Sequence, residues 1–294
     1  MLQLTVATGM LCLTMLLGAS QASNTPLRVV VTFSILGDLV RNVGGEGVVI
    51  HTLVGPDADA HMFEPSPADG VALAHASLIF ENGLGLEPWL DKLYTAARAR
   101  AARVVVSNGL KTAQHGEVDP HVWHDVTQVI SLVHNIREAL IQADPAQASL
   151  YQTNHARYTA ELHQLDTWIE DQVQTLPRER RKLVTSHETF GYFARRYGFD
   201  VLGAVLASFS TETADPSGAE LARLVETVKR TQVPAMFAEN VQNPRLLHQV
   251  ATMAGVRLAP PLYTDALGKP GSAGDSYLKM MRYNVSTIVQ ALRP

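Results

Sequence analysis

The chain has a single cysteine, Cys12, and no surplus of positive charge. One cysteine cannot close a disulfide within the chain or build a multi-cysteine zinc finger. Lys and Arg number 24 against 28 Asp and Glu, so the balance is 24 − 28 = −4. With no basic excess to neutralise phosphates, nucleic acid is not the expected partner. A membrane-spanning stretch is also missing. The apolar run at 4–18 has 15 residues, whereas a spanning helix needs about 20. Low-complexity tracts are absent, and 46% hydrophobic with 18% charged residues is the composition of a folded chain. What the sequence has in excess is histidine, with 11 residues.

The run at 4–18 ends in Ala19-Ser20-Gln21-Ala22 before the polar Ser23-Asn24-Thr25-Pro26. Small residues at Ser20 and Ala22 suit a signal peptidase cutting before Ser23. The opening Met-Leu-Gln lacks the basic residues usual there. Thr8-Gly9-Met10-Leu11 lacks the small residues expected before a lipid-modified Cys12. The expectation is an exported, periplasmic protein whose signal peptide is residues 1–22 and which has no lipid anchor.

A length of 294 residues suggests about two domains. Short β-branched runs at 27–34, 48–54, 77–80 and 103–107 read as strands. Helical patterns at 35–43, 67–76, 86–101 and from about 124 alternate with them, which predicts βαβ units on a parallel sheet. Then the pattern changes. Asp144-Pro145 opens a stretch with no Gly or Pro until Pro177, and Tyr151, Tyr158, Leu162, Leu165, Ile169, Val173 and Leu176 recur at helical spacing. The spacing predicts one helix over 145–176, about 48 Å long. Alternation resumes with strands at 182–186, 201–206, 235–239 and 256–258 and helices at 190–197, 217–231, 244–254 and 276–292. The expected fold class is α/β: two βα lobes with parallel sheets, joined by one long rigid α-helix. The lobes are placed at 23–143 and 178–294, with the linking helix at 144–177.

The familiar catalytic signatures fail. There is no Gly-x-Ser-x-Gly; Gly83-Leu84-Gly85 lacks the third glycine of a dinucleotide loop; and Gly268-Lys269-Pro270 is no phosphate loop. His187-Glu188 starts like a zinc-protease helix, but Gly191 stands where the second histidine belongs. What remains is His61 after the second strand, His121 before the helix from 124, His187 after the strand at 182–186, and Asp265 after the last strand. Three of the four follow strand C-termini, where open α/β sheets place ligands. Two come from each lobe, which puts the site at the interlobe cleft. Three imidazoles and a carboxylate fill a tetrahedral shell with no open position for water, which suits holding a metal better than catalysis. That donor set favours zinc, since manganese prefers more oxygen and binds more weakly. His51, His75, His134, His155, His163 and His248 read as surface or boundary residues, and Glu188 and Glu212 as hydrogen-bonding or solvated groups. His115 sits near His121, and the spacing His121-x-x-His124 leaves His124 as a spare ligand.

Several longer motifs carry a resemblance: Gly55-Pro56-Asp57 with His61 and Glu64-Pro65-Ser66-Pro67; Asn82-Gly83-Leu84-Gly85-Leu86-Glu87-Pro88-Trp89; Asp119-Pro120-His121-Val122-Trp123; Ser186-His187-Glu188-Thr189-Phe190-Gly191-Tyr192-Phe193; and Leu262-Tyr263-Thr264-Asp265-Ala266-Leu267-Gly268. From about Leu27 to Pro294 the chain resembles the zinc/manganese solute-binding proteins of bacterial metal-uptake ABC transporters. The resemblance implies that His61, His121, His187 and Asp265 bind the metal. It also implies two α/β lobes on one long helix. The histidine-rich loop that many zinc-specific members carry before the second ligand is reduced here to 111–118, with His115 alone. His124 stands where members often have an apolar residue. Manganese-preferring relatives often have Glu at the position of His187, so histidine there favours zinc.

The expected function is a non-enzymatic, extracytoplasmic receptor. It captures Zn(II) and delivers it to the membrane permease of an ABC transporter, which works with a cytoplasmic ATPase. Mn(II) in the same role is the alternative. A periplasmic zinc chaperone is a candidate loading partner, and the expected state is a monomer. A zinc hydrolase with Glu188 as base, or an adhesin using metal structurally, are the readings from other classes.

Overall fold

The computed structural model describes residues 25–110, 118–206, 208, 210–212 and 216–294. The leader, Cys12 and His115 lie outside these. The first half opens with β1 (Leu27–Phe33), α1 (Ser34–Gly44), β2 (Val48–Val54), α2 (Pro67–Ala74), β3 (Leu78–Glu81), α3 (Leu90–Ala96) and β4 (Ala102–Val105). The strands form one parallel sheet in the order β2-β1-β3-β4. Central β1 is buried on both faces, which is why Val29, Val30 and Val31 run consecutively. Helix α2 starts at Pro67, and the carboxylate of Asp69 accepts from both the amide and the hydroxyl of Ser66, 2.7 Å each. Asp69 thus reaches back to hold the N-cap residue at the helix start that Ser-Pro predicts.

Helix α3 is shorter than the pattern at 86–101 predicts. Gly83, Leu84 and Gly85 all have positive φ, and Arg98 at φ 50° ends the segment. The loop wraps instead around the buried carboxylate of Glu87, which accepts from the amides of Asn82 (2.7 Å) and Gly83 (3.1 Å) and the hydroxyl of Thr32 (2.7 Å). Burial pushes this carboxyl up to about 7.

Next come α4 (Val126–Ala143) and the long α5 (Ala148–Gln174). Pro145–Gln147 form a 3-10 turn rather than the first α turn, so α5 has 27 residues and is about 40 Å long. All seven periodic apolar residues, Tyr151 through Leu176, are buried. The second half is β5 (Lys182–His187), α6 (Gly191–Tyr197), β6 (Asp200–Leu206), α7 (Gly218–Thr231), β7 (Ala235–Glu239), α8 (Arg245–Ala254), β8 (Arg257–Leu262) and α9 (Tyr277–Leu292). Two parallel ladders, β5-β6 and β7-β8, lie with β5 beside β7. The resulting order β6-β5-β7-β8 repeats that of the first lobe. Strand β8 runs further than 256–258, through Pro260 and Pro261, because it pairs only with β7 and an edge strand tolerates missing donors.

The lobes are tied together away from α5 as well. Helix α9 packs on α5 and α1, and one apolar core runs from Val29 through Tyr158 to Leu292. The amide of Tyr277 donates to Asp38 (2.9 Å), that of Leu267 to Ser34 (3.0 Å), and the indole of Trp123 to the carbonyl of Thr264 (2.8 Å). Bending α5 would break its backbone hydrogen bonds, and hinge rotation would also break these ties. Small-angle scattering of metal-free and zinc-loaded protein is therefore expected to show radii of gyration within about 1 Å, against the 19 Å or so of a compact chain this long. A decrease of several ångströms on loading would reveal a hinge.

Candidate metal centre

Each sequence-predicted residue is delivered by the end of a strand or a capped loop. His61 sits in the loop after β2. Its amide donates to Asp59 (2.9 Å), and Asp59 also accepts from Thr211 of the second lobe (2.7 Å). Trp89 pins the same loop by donating to the carbonyl of Ala60 (2.8 Å). His121 precedes a 3-10 turn (Val122–His124) and the N-cap Asp125 of α4. Asn82 donates to the carbonyl of Pro120 (3.0 Å), and Tyr192 to that of Asp119 (3.1 Å). His187 is the last residue of β5. Asp265 follows β8, its neighbour Thr264 held by the side chain of Asn240 (3.1 Å).

The four side chains converge. One donor atom from each of His61, His121, His187 and Asp265 lies within 4.8 Å of the others, and all four residues are buried. Among the described residues no other group of this kind occurs. Nε2 of His121 is 3.3 Å from Nε2 of both His61 and His187. The Asp265 carboxylate stands 3.1 Å from His187, 3.6 Å from His61 and 3.7 Å from His121. A tetrahedron with metal–ligand bonds of about 2.0–2.1 Å has edges of about 3.3–3.4 Å, and these separations bracket that value. Nδ1 of His121 lies 2.8 Å from the Asp119 carboxylate, which also accepts the His121 amide at 2.9 Å. With its proton held at Nδ1, His121 turns an Nε2 lone pair toward the other two rings. Three imidazole nitrogens and a carboxylate oxygen gathered this closely form a donor set that a cation would fill. Oδ2 of Asp265 is buried without a hydrogen bond, an orphan that a metal would satisfy. The residues therefore fit a bound metal.

Burial lowers the pKa of the His187 imidazole, but the carboxylates of Glu239 and Asp265 outweigh it and hold the group well above its ordinary value. For Asp265 burial works the other way, and His187 and His121 overcome it, holding the carboxyl well below its usual range. Three of the ligand residues are fully sealed; His61 alone lines an open groove, of about 480 Å³, with Met62, Phe63, Trp89 and Glu212.

His124 does not join this group. Its ring packs 4.6 Å from that of Phe190, both nitrogens lack partners, and burial pushes its pKa down to about 3. It is a neutral core residue. Glu188 is half-buried at a backbone turn and Glu212 is exposed, so neither completes the shell. His134 and His155 each face the Arg137 guanidinium through Nδ1, at 3.0 and 3.3 Å.

Two functional side chains escape the sequence reading. Asp119 had a usable signal, an aspartate two residues before a ligand. Glu239 had none. It ends β7 and reaches His187 across 52 residues of chain, with Oε2 2.6 Å from Nδ1.

Comparison with known proteins bears on the fold and the family. Residues 29–291 match the family described as "ZnuA: Zinc-uptake complex component A periplasmic". The manganese-binding lipoprotein MntA of Halalkalibacterium halodurans is 37% identical over 90% of this chain and 88% of its own length. The manganese ABC transporter substrate-binding lipoprotein PsaA of Streptococcus pneumoniae is 32% identical over 93% and 91%. Among solved structures, the periplasmic zinc-binding protein TroA of Treponema pallidum superposes with a TM-score of 0.87 at 30% identity, covering 92% of this chain and all of that one. A manganese-bound periplasmic metal-binding protein of Candidatus Liberibacter asiaticus gives 0.81 at 26%, covering 91% and 100%. A family match over nearly the whole described chain, on a fold that brings four donors together, leaves one assignment: the chain belongs to the ZnuA family, the metal-binding periplasmic receptors of ABC metal-uptake systems, which are not enzymes.

Proposed function

We propose that this receptor captures zinc through His61, His121, His187 and Asp265 and passes it to an ABC permease for high-affinity import. The observation that carries the reading is the buried convergence of three imidazole nitrogens and one carboxylate at tetrahedral separations. Nitrogen-rich, four-coordinate surroundings suit zinc, whereas manganese favours more oxygen and a larger shell. The manganese reading draws on a different observation: the names of the relatives MntA and PsaA. The receptor acts as a monomer in the periplasm, loaded directly or by a zinc chaperone, after cleavage before Ser23. An anchor on Cys12 is the competing arrangement, since those relatives are named lipoproteins.

Affinity measured in vitro does not decide between the metals, because zinc outcompetes manganese at almost any such site. The deciding experiment is uptake of radiolabelled zinc and manganese by the host with and without this gene. It is paired with metal analysis and intact mass of the protein from a periplasmic extract. Loss of zinc uptake, bound zinc and an N-terminus at Ser23 are expected. Loss of manganese uptake alone would overturn the zinc assignment, and a lipid-modified Cys12 the leader assignment.

A further inference from the structure

We infer that Glu239 is the positioning residue of the metal centre: it locks both second-lobe ligands, His187 and Asp265, in place and forces His187 to present Nε2. The inference rests on the metal-site reading above. Glu239 is almost fully buried at the end of β7, and both its oxygens are engaged. Oε1 accepts the amides of Ser186 (2.8 Å) and His187 (2.9 Å), which fixes the end of β5 against β7. Oε2 accepts the hydroxyl of Thr264 (3.0 Å) and lies 2.6 Å from Nδ1 of His187. Thr264 directly precedes Asp265, so one carboxylate spans both ligands of this lobe.

The 2.6 Å approach of Nδ1 to Oε2 is a close charge contact rather than an in-line hydrogen bond, and a proton on Nδ1 is the state that avoids two opposed lone pairs there. The lone pair is thereby left on Nε2, which faces Asp265 at 3.1 Å and His121 at 3.3 Å. Partners of this kind behind a metal-binding histidine set its tautomer and raise its basicity. Asp119 does the same for His121 but touches one ligand only. Glu239 also sets the distance between two ligands from different strands.

Glu239→Gln tests this, because the side chain keeps its shape. Its carbonyl can still accept the two amides of β5, which turns its NH2 group toward Thr264 and Nδ1 of His187. Nδ1 must then accept, the proton moves to Nε2, and the lone pair is lost to the metal. Zinc affinity is expected to fall about 10- to 100-fold, with the zinc-free fold intact by circular dichroism. Nitrogen-15 NMR of the zinc-free protein at alkaline pH should show the Nδ1–H tautomer of His187 in the natural chain and Nε2–H in the variant, a change that a packing role would not produce. Should Glu239→Gln fail to fold, the natural chain's spectrum still decides: an Nε2–H tautomer for His187 overturns the inference. So does a folded Glu239→Gln protein with undiminished affinity. His187→Ala separates the two layers of argument. If it binds zinc as tightly as the natural chain, the metal-site reading itself is wrong. If it binds weakly while Glu239→Gln does not, only the role of Glu239 is wrong.

Discussion

Replacing His121 by alanine is expected to weaken zinc binding by well over a hundredfold, while His124→Leu leaves it within about threefold. Loss of a partner behind a ligand already costs about 10- to 100-fold, and loss of the ligand itself costs more. The Nε2 atom of His121 lies 3.3 Å from two other donors and 3.7 Å from the third, so its removal opens three edges of the shell and leaves Asp119 without its imidazole partner. His124 faces Phe190 instead, with two unpartnered nitrogens in an apolar setting. Exchanging an unsatisfied buried polar group for an apolar one of similar size is neutral or stabilising, so the melting temperature of His124→Leu should not fall. Zinc titration against a competing chelator reads the first effect and thermal unfolding the second. Equal losses of affinity in the two variants would mean that the ligand set is wrong.

The second large effect is on acidity. Zinc affinity is expected to fall as pH drops from 7.5 to 5.5, by up to about a hundredfold for one displaced proton. The cause is His187, whose pKa is raised above its ordinary value by Glu239 and Asp265 against the opposing effect of burial. Below that raised pKa the metal must displace a proton from Nε2, which costs tenfold in affinity per pH unit for each proton released. Any further imidazole that takes up a proton steepens the slope. In the metal-free protein the contribution of His187 to stability has the opposite sign, and buried His124, its pKa pushed down to about 3, opposes it below about pH 6.5. A group with a raised folded pKa adds stability that is complete below its unfolded value near 6.5 and is lost as pH rises through the folded value. Asp265 stays ionised throughout this window, because His187 and His121 hold its pKa well below 3.8 despite burial. Calorimetry in buffers of different ionisation enthalpy would count the protons released on binding. A flat affinity across the window would contradict a histidine-dominated shell.

Much of this molecule is written in local pattern. Val29 to Val31 declare a strand buried on both faces, and Ser66-Pro67 declares a helix start. Tyr151 through Leu176 recur at a helical interval that only one buried stripe can explain, and all seven are buried. Helix ends were less legible. The segment after β3 reads as helix from Leu86, yet Glu87 draws the chain into a loop around its own carboxylate. A carboxylate with two amides and a hydroxyl within reach outweighs propensity, and nothing in the neighbouring residues announces it.

The candidate site divides in the same way. Histidines and an aspartate placed after strands mark themselves as ligands, because a parallel α/β sheet directs its strand C-termini to one edge. That rule acts through backbone topology and so is visible in residue order. Which histidines stay out is decided elsewhere. His121 and His124 are three residues apart and equally buried, yet one meets Asp119 and the cleft while the other meets Phe190. Glu239 belongs to the centre only because β7 lies beside β5, a neighbour relation between strands 52 residues apart that carries no spacing signal. Local periodicity and capping follow from interactions a few residues long, so composition and order determine them. Ligand separations, tautomers and the partners behind each imidazole depend on distances between strands distant in the chain, and only the packed lobes establish those.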